Sequence, residues 1–284
     1  MKNVDRTYGF SGSCDNYQNA DIAILGIPMD FTVSFRTGTR FGPQCIRNVS
    51  VGLEDYSCYI DKDLRDKCYY DCGDLLLPFG NVDLSLKIIE DAAQDLFEDG
   101  KFPIFIGGEH LVTYPLIKAA YKKYPDLAVI HFDAHADLRM EYMGEKNSHA
   151  TVIRRIAELL GGKNIYQFGI RSGDREEISF GQENTHLFID RLIEPLKEVI
   201  PSLKGRPVYI TLDIDVVDPA FAPGTGTPEP GGCTSREIIQ CLHMLGELNV
   251  VGFDLVEVLP GHDLSERTSI LAAKLIREAM LTFC

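Results

Sequence analysis

The sequence predicts an α/β fold, a single three-layer α/β/α domain with a mostly parallel central sheet. Two patterns carry this expectation. Short apolar runs rich in Ile, Val and Phe recur at residues 22–28, 102–106, 127–132, 165–170, 208–212 and 250–256. They are nearly continuously apolar, as strands are when helices cover both faces of a sheet. Segments with helical spacing of apolar residues lie between them, and repeated βα alternation is the signature of this layered class. The 284 residues, 45% hydrophobic and 25% charged, have the composition of a folded protein. That length is also compatible with one large α/β unit. The whole of 1–284 is therefore read as one domain, with residues 1–20 as an N-terminal extension at the surface.

The elements follow in order. After the strand at 22–28, Ile88, Ile89, Ala92, Ala93, Leu96 and Phe97 repeat at helical spacing, and Gly100 ends that helix. Strands at 102–106, 127–132, 165–170 and 208–212 come next. Residues 218–232 hold four prolines and four glycines in fifteen positions. A loop this long between a strand and a helix reads as functional rather than as a linker. Thr234-Ser235-Arg236-Glu237 is a capping box that opens a helix running to Leu245. The strand at 250–256 and a closing helix at 270–283 complete the chain.

Charge and cysteine usage exclude several functions. With 28 Lys+Arg against 42 Asp+Glu, the net charge is −14. Nucleic acid and anionic membranes need basic surfaces, so neither is expected as a partner; a cationic ligand or bound metal ions suit the balance. No apolar run reaches the roughly 20 residues that span a bilayer, and the first residues have no apolar core of a signal peptide. The eight cysteines, at 14, 45, 58, 68, 72, 233, 241 and 284, include no CxxC pair. They read as reduced thiols of a cytoplasmic protein. Cys68 and Cys72, four apart on a segment that reads as a strand, take the same reading.

Ligands of open α/β sheets bind beyond the carboxyl ends of the strands, and three strand-following loops there concentrate metal-ligand side chains. They are Gly107-Gly108-Glu109-His110, Asp133-Ala134-His135-Ala136-Asp137 and Asp213-Ile214-Asp215. Residues two apart on an extended chain share a face, so Asp133 with His135, and Asp213 with Asp215, can each aim two ligands into one cleft. Four carboxylates and two imidazoles exceed the three protein ligands of a typical single catalytic ion. They suit two divalent ions sharing carboxylates and a water. Such oxygen-rich ligation with some imidazole favours manganese, while ligand type alone leaves zinc, cobalt and iron open. His131, deeper in its strand, reads as a core histidine. His149 begins the helix after the second loop. Glu257 ends the last strand, where a carboxylate can bind a planar cation through both oxygens.

With these motifs in hand, the sequence resembles the ureohydrolase family of arginases and agmatinases. The resemblance rests on GGEH at 107–110, FDAHADLR at 132–139, SHA at 148–150, LDIDVVDPAFAPGTGTPEPGG at 212–232 and DLVEV at 254–258, in family order. It implies an arginase-like fold and a binuclear Mn2+ site, two ions per subunit, at which hydroxide attacks a guanidinium group to release urea and an amine. One ion would take His110, Asp133, Asp137 and Asp213, and the other Asp133, His135, Asp213 and Asp215. His149 would be the proton shuttle, Glu257 the guanidinium-binding carboxylate, and Asp137 the donor to the leaving nitrogen. The segment LRMEYMGEKNS at 138–148 is most like the agmatinase pattern, which implies agmatine as substrate and putrescine as product. Asp174, in GIRSGD, is a candidate contact for the tail amine. Guanidinobutyrase, arginase and formimidoylglutamase are the alternatives within the family. The family also implies a homotrimer or homohexamer.

Other classes fit less well. A deacetylase-like amide hydrolase would use one zinc and paired histidines, and no His-His pair is present. A binuclear phosphoesterase would need a basic rim, whereas these loops are acidic apart from Arg139, Lys146 and Arg171. A non-catalytic metal-binding regulatory relative would be expected to lack a bridging Asp, His149 or Glu257, and all are present.

Overall fold

The computed structural model describes residues 4–6 and 9–284. Its strands are β1 (Val4–Asp5), β2 (Ile22–Ile27), β3 (Tyr56–Ser57), β4 (Lys62–Asp63), β5 (Tyr69–Leu75), β6 (Phe102–Gly107), β7 (Ala128–Phe132), β8 (Ile165–Ile170), β9 (His186–Ile189), β10 (Pro207–Asp213) and β11 (Asn249–Val256). Its helices are α1 (Gly42–Ser50), α2 (Val82–Glu98), α3 (Thr113–Lys123), α4 (Val152–Leu160), α5 (Arg175–Asn184), α6 (Ile193–Leu203), α7 (Ser235–Met244) and α8 (Arg267–Phe283). Nine strands form one sheet in the order β1-β5-β2-β6-β11-β10-β7-β8-β9, while β3 and β4 make a separate hairpin. Neighbours in the large sheet are parallel except β1 and β5.

The inner strands β2, β6, β7, β8, β10 and β11 bury both faces. In β10, Val208, Ile210 and Leu212 join the core under α1, α6, α7 and α8. Tyr209 packs on the opposite side with α2, α3 and α4. This is why the strand sequences lack polar alternation. The capping box opens α7 as expected, with Thr234 accepting from Glu237 N–H and the Glu237 carboxylate returning to Thr234 N–H at 2.8 Å. Among the described residues no helix is long and apolar enough to cross a membrane.

Most described residues of the N-terminal extension are exposed or half-buried, and two contacts tie it to the fold. Val4–Asp5 adds an edge strand against β5, and Phe10 is buried in the core. Residues 1–3, 7 and 8 lie outside the described residues. β5, YYDCGDL, lies on the segment that the sequence marks as a strand around Cys72, and it carries two acids. Their partner comes from α1: Arg47 grips Asp71 through Nε at 2.8 Å and Nη2 at 2.9 Å, and also reaches Asp74.

A second buried ion cluster ties α8 to the small hairpin. Glu278 accepts from Ser57 Oγ and from His243 Nε2, each at 2.8 Å, and pairs with Arg277. Burial pushes its carboxyl up, but the bonds from His243, Arg277 and Ser57 outweigh that and hold it at about 2 against an ordinary 4.5. A depressed carboxyl adds stability above its unfolded pKa and loses it as the pH falls toward the folded value. Glu278→Gln should therefore cost about 2–3 kcal/mol at pH 7 and flatten the loss of stability between pH 4.5 and 2. Urea-denaturation midpoints across that range check it.

Candidate metal centre

The four central strands, β6-β11-β10-β7, bring the candidate residues to one rim. β7 follows β6 in sequence but lies three places away, so their loops diverge and leave a crevice at the carboxyl ends. β6 delivers His110, β7 delivers Asp133, His135 and Asp137, β10 delivers Asp213 and Asp215, and β11 delivers Glu257. Gly108 makes the first turn possible: a Cβ there would stand 1.9 Å from Met29 O. Asp215 arrives differently from the expectation of two ligands on one extended face. The chain turns into a 3-10 segment at Ile214–Val216, and Asp213 caps it by accepting from Asp215 N–H at 2.9 Å.

Two donor sets result. His110 Nδ1 lies 3.0 Å from Asp133 Oδ2, 3.2 Å from Asp137 Oδ2 and 3.4 Å from Asp213 Oδ2. His135 Nδ1 lies 2.9 Å from Asp215 Oδ2 and 3.5 Å from Asp133 Oδ1. Asp133 thus offers one oxygen to each set. His110 Nδ1 and Asp215 Oδ2 are buried and have no hydrogen-bond partner. Leaving such atoms unsatisfied costs a lot, and a cation would satisfy both. The donor set, carboxylate oxygens and imidazole nitrogens without thiolate, fits a pair of hard divalent ions.

The electrostatics agree. Burial, with the charges of Asp215 and Asp133, drives Asp213 well above the usual carboxyl range. Burial and the charge of Asp133 lift Asp137 to about 7. Asp133 goes the other way, because the imidazole of His131 at 2.8 Å, with His110 and His135 close by, outweighs its burial. Acids this crowded compete for protons unless cations replace them.

A cavity of about 310 Å³ opens over these donors, bounded by Arg139, Tyr142, His149, Asp174, Glu257 and Thr227 among others. Glu257 is buried and accepts from His110 N–H through Oε1 at 2.8 Å. Burial and the charge of Glu109 raise it to about 8. His149 enters at a capped turn, where Ser148 and Thr151 bond reciprocally. Its Nε2 is 3.3 Å from Ser34 Oγ, and the Tyr142 ring meets it edge-on at 5.7 Å. Burial, then the neighbouring His135, His110 and Arg139, lower it to about 4, so it is neutral at physiological pH. Asp174 lines the cavity but also caps α5, accepting from Glu177 N–H through Oδ1 at 2.9 Å. Arg139 Nε is 3.0 Å from Glu177 and 3.8 Å from Asp174.

The Pro/Gly-rich loop closes over the rim. Asp218 gathers Ala220, Gly231 and Gly232 N–H groups, and Gly224 O accepts from Leu259 N–H at 2.7 Å. Sequence reasoning passed over Glu109, which is fully buried, holds Thr32 N–H at 2.7 Å and is raised by burial to about 7. It also gave no hint that Asp137 (φ 53°) and Glu257 (φ 64°) adopt left-handed backbone. Non-glycine residues held there carry strain of the kind that collects at functional sites.

Carboxylate-rich paired donor sets at the carboxyl rim of an α/β/α sheet are the kind of arrangement in which hydrolases hold divalent ions. The chain belongs to the arginase family, whose pattern it matches over residues 20–282. It is 56% identical to the agmatinase of Bacillus subtilis, over 96% of both chains. It is 36% identical to the guanidinobutyrase of Pseudomonas aeruginosa, over 92% of this chain and 85% of that one. The crystal structure of agmatine ureohydrolase of Thermoplasma volcanium superposes with a TM-score of 0.87 at 33% identity, covering 99% of this chain and 95% of that one.

Proposed function

We propose that this ureohydrolase hydrolyses the guanidinium group of agmatine to putrescine and urea with two Mn2+ ions. His110, Asp133, Asp137 and Asp213 would hold one ion, and Asp133, His135, Asp213 and Asp215 the other. The observation that carries the reading is the convergence of His110 Nδ1 and three carboxylate oxygens within 3.4 Å, with Glu257 on the same cavity. When bound, the metal pair supplies a water acidic enough to act as hydroxide near neutral pH.

The chain's own residues do the rest. The open oxygen of Glu257 receives the guanidinium and holds its carbon against the metal rim, which removes much of the entropic barrier. Asp137 lines the cavity beside the donors, where it is placed to pass a proton to the leaving nitrogen. His149, neutral and at the cavity mouth, exchanges protons with solvent.

Charge on the cavity wall supports a cationic tail. Glu177 neutralises Arg139, which leaves Asp174 as a half-exposed acid facing the opening. Asp174→Asn should raise the agmatine KM about 3–10-fold with little change in kcat, measured by steady-state urea release. Arg139 also gives 4-guanidinobutyrate a specific claim as second reading, since a carboxylate tail could recruit it from Glu177. Urea release by manganese-loaded protein offered agmatine, arginine and 4-guanidinobutyrate decides among them. No urea from any of the three would sink the hydrolase reading. The enzyme is further read as a cytoplasmic homotrimer or homohexamer; the exposed Phe79 and Leu264 are apolar surface that assembly would cover.

A further inference from the structure

One layer beneath the rim, four polar side chains stand in a row across four strands. Strand register places Asp254 of β11 opposite Thr211 of β10, Thr211 opposite His131 of β7, and His131 opposite Gln167 of β8. All four are fully buried. Polar groups buried this deeply must be paired, and their pairing assigns each proton. Thr211 Oγ1 gives its one proton to Asp254 Oδ1 at 2.7 Å, while Tyr209 OH donates to Asp254 Oδ2 at 2.9 Å. The Thr211 oxygen then accepts from His110 Nε2–H at 3.0 Å, which leaves the lone pair on Nδ1. At the other end, Ala136 O fixes the Gln167 amide, whose Nε2 donates to it at 2.9 Å and to His131 Nδ1 at 3.1 Å. The His131 proton therefore sits on Nε2 and points at Asp133 Oδ2, 2.8 Å away. His131 lies within ligand reach of His110 and Asp133, yet it has no lone pair to offer them.

We propose that this buried row fixes the proton positions on His110 and His131, and so aims the His110 lone pair and the Asp133 carboxylate at the metal pair. Asp254, Thr211, His131 and Gln167 are positioning residues, and His131 is not a ligand. The inference rests on the metal-centre reading above. Its test is Mn2+ affinity of metal-stripped protein, read from the signal of free manganese rather than from activity. Thr211→Val keeps shape but loses the acceptor, and should weaken binding about 10–100-fold. Thr211→Ser keeps the hydroxyl and should stay within about threefold of wild type. A packing role predicts the reverse order, because Val fills the space and Ser does not. His131→Gln, which retains an N–H near Nε2, should likewise bind more tightly than His131→Leu. Wild-type affinity in Thr211→Val, or Ser weaker than Val, would overturn the proposal. Wild-type protein that binds no Mn2+ would overturn the metal-centre reading itself.

A second, independent observation lies far from the site. Cys68 Sγ donates to Cys14 Sγ at 3.3 Å, and Cys14 Sγ donates on to Asn16 O at 3.5 Å. Both backbones are pinned: Cys14 N–H bonds Tyr69 O at 2.8 Å, and Cys68 O accepts from Asp21 N–H at 3.1 Å. Both side chains are half-buried, open to a small oxidant. We infer that Cys14 and Cys68 are an oxidation site that takes hydrogen peroxide and closes to a disulfide. One thiol reduces the peroxide, forming a sulfenic acid and water. The second sulfur displaces the sulfenic oxygen as a second water, so two thiols lose two electrons and two protons to one peroxide. Hydrogen peroxide should lower the intact mass of the full chain by two hydrogens, link the Cys14 and Cys68 peptides, and raise the melting temperature by on the order of 5 °C. Cys14→Ser should abolish all three changes, and thiol reductant should reverse them. Free alkylation of both thiols after peroxide, or a link between any other pair, would overturn the inference.

Discussion

Asp133→Asn is expected to abolish urea release and to weaken binding of both metal ions together. The reason is geometric. Asp133 Oδ2 faces His110 Nδ1 at 3.0 Å, and its Oδ1 faces His135 Nδ1 at 3.5 Å, so one side chain serves both donor sets. Asparagine fills the same volume but carries no charge, and its amide nitrogen turns a donor toward one of the two ions. Loss of a shared ligand should cost at least about 10³-fold in kcat/KM, since the metal pair supplies the attacking water. Removal of a ligand from one set alone, as in His135→Ala, should instead leave one ion bound. Metal analysis after gel filtration separates these outcomes: about two ions per chain in wild type, one in His135→Ala and fewer than one in Asp133→Asn. An Asp133→Asn protein with two ions and near wild-type turnover would remove Asp133 from the bridging position.

Much of this was legible in the chain because buried parallel strands are continuously apolar and their polar termini stand out. The six apolar runs fall on β2, β6, β7, β8, β10 and β11, and the acids and histidines that follow them meet in space. What stayed hidden depends on partners distant in sequence. The segment of β5 already read as a strand, but its acids Asp71 and Asp74 find their counter-charge only in Arg47, from a helix that precedes them. α5 buries only Glu177 and Gly181, so it has no apolar stripe to read. Thr211 and Gln167 carry no local signal, and Asp254 opens the DLVEV motif without a role that the motif itself reveals. Their meaning comes from strand register, which pairs β11 with β10 and β7 with β8. The i, i+2 spacing found Asp215, although a 3-10 turn rather than an extended face delivers it. The steric demands that place Asp137 and Glu257 in left-handed backbone are likewise tertiary.

Glu257→Gln should separate recognition from stability. Glu257 holds His110 N–H through one oxygen and presents the other to the cavity, where a guanidinium can pair with it. Glutamine can keep the first bond, so the His110 backbone stays in place. It cannot supply the charge, and a charge-assisted pair in a site this buried is worth more than a neutral hydrogen bond. Loss of the pair should lower kcat/KM about 10²–10⁴-fold, most of it on agmatine positioning, with Mn2+ binding unchanged. The same substitution should not destabilise the metal-free fold. Burial and the nearby Glu109 charge raise Glu257 to about 8, and a raised carboxyl subtracts stability as the pH climbs from its ordinary value toward the folded one. Gln removes that penalty, so the variant should melt at or above the wild-type temperature at pH 8. The left-handed backbone at 257 persists in either case, since both side chains share the same Cβ. A lower melting temperature together with lost Mn2+ would reduce Glu257 to a structural acid. A higher melting temperature with lost turnover is the signature of a carboxylate kept for its substrate.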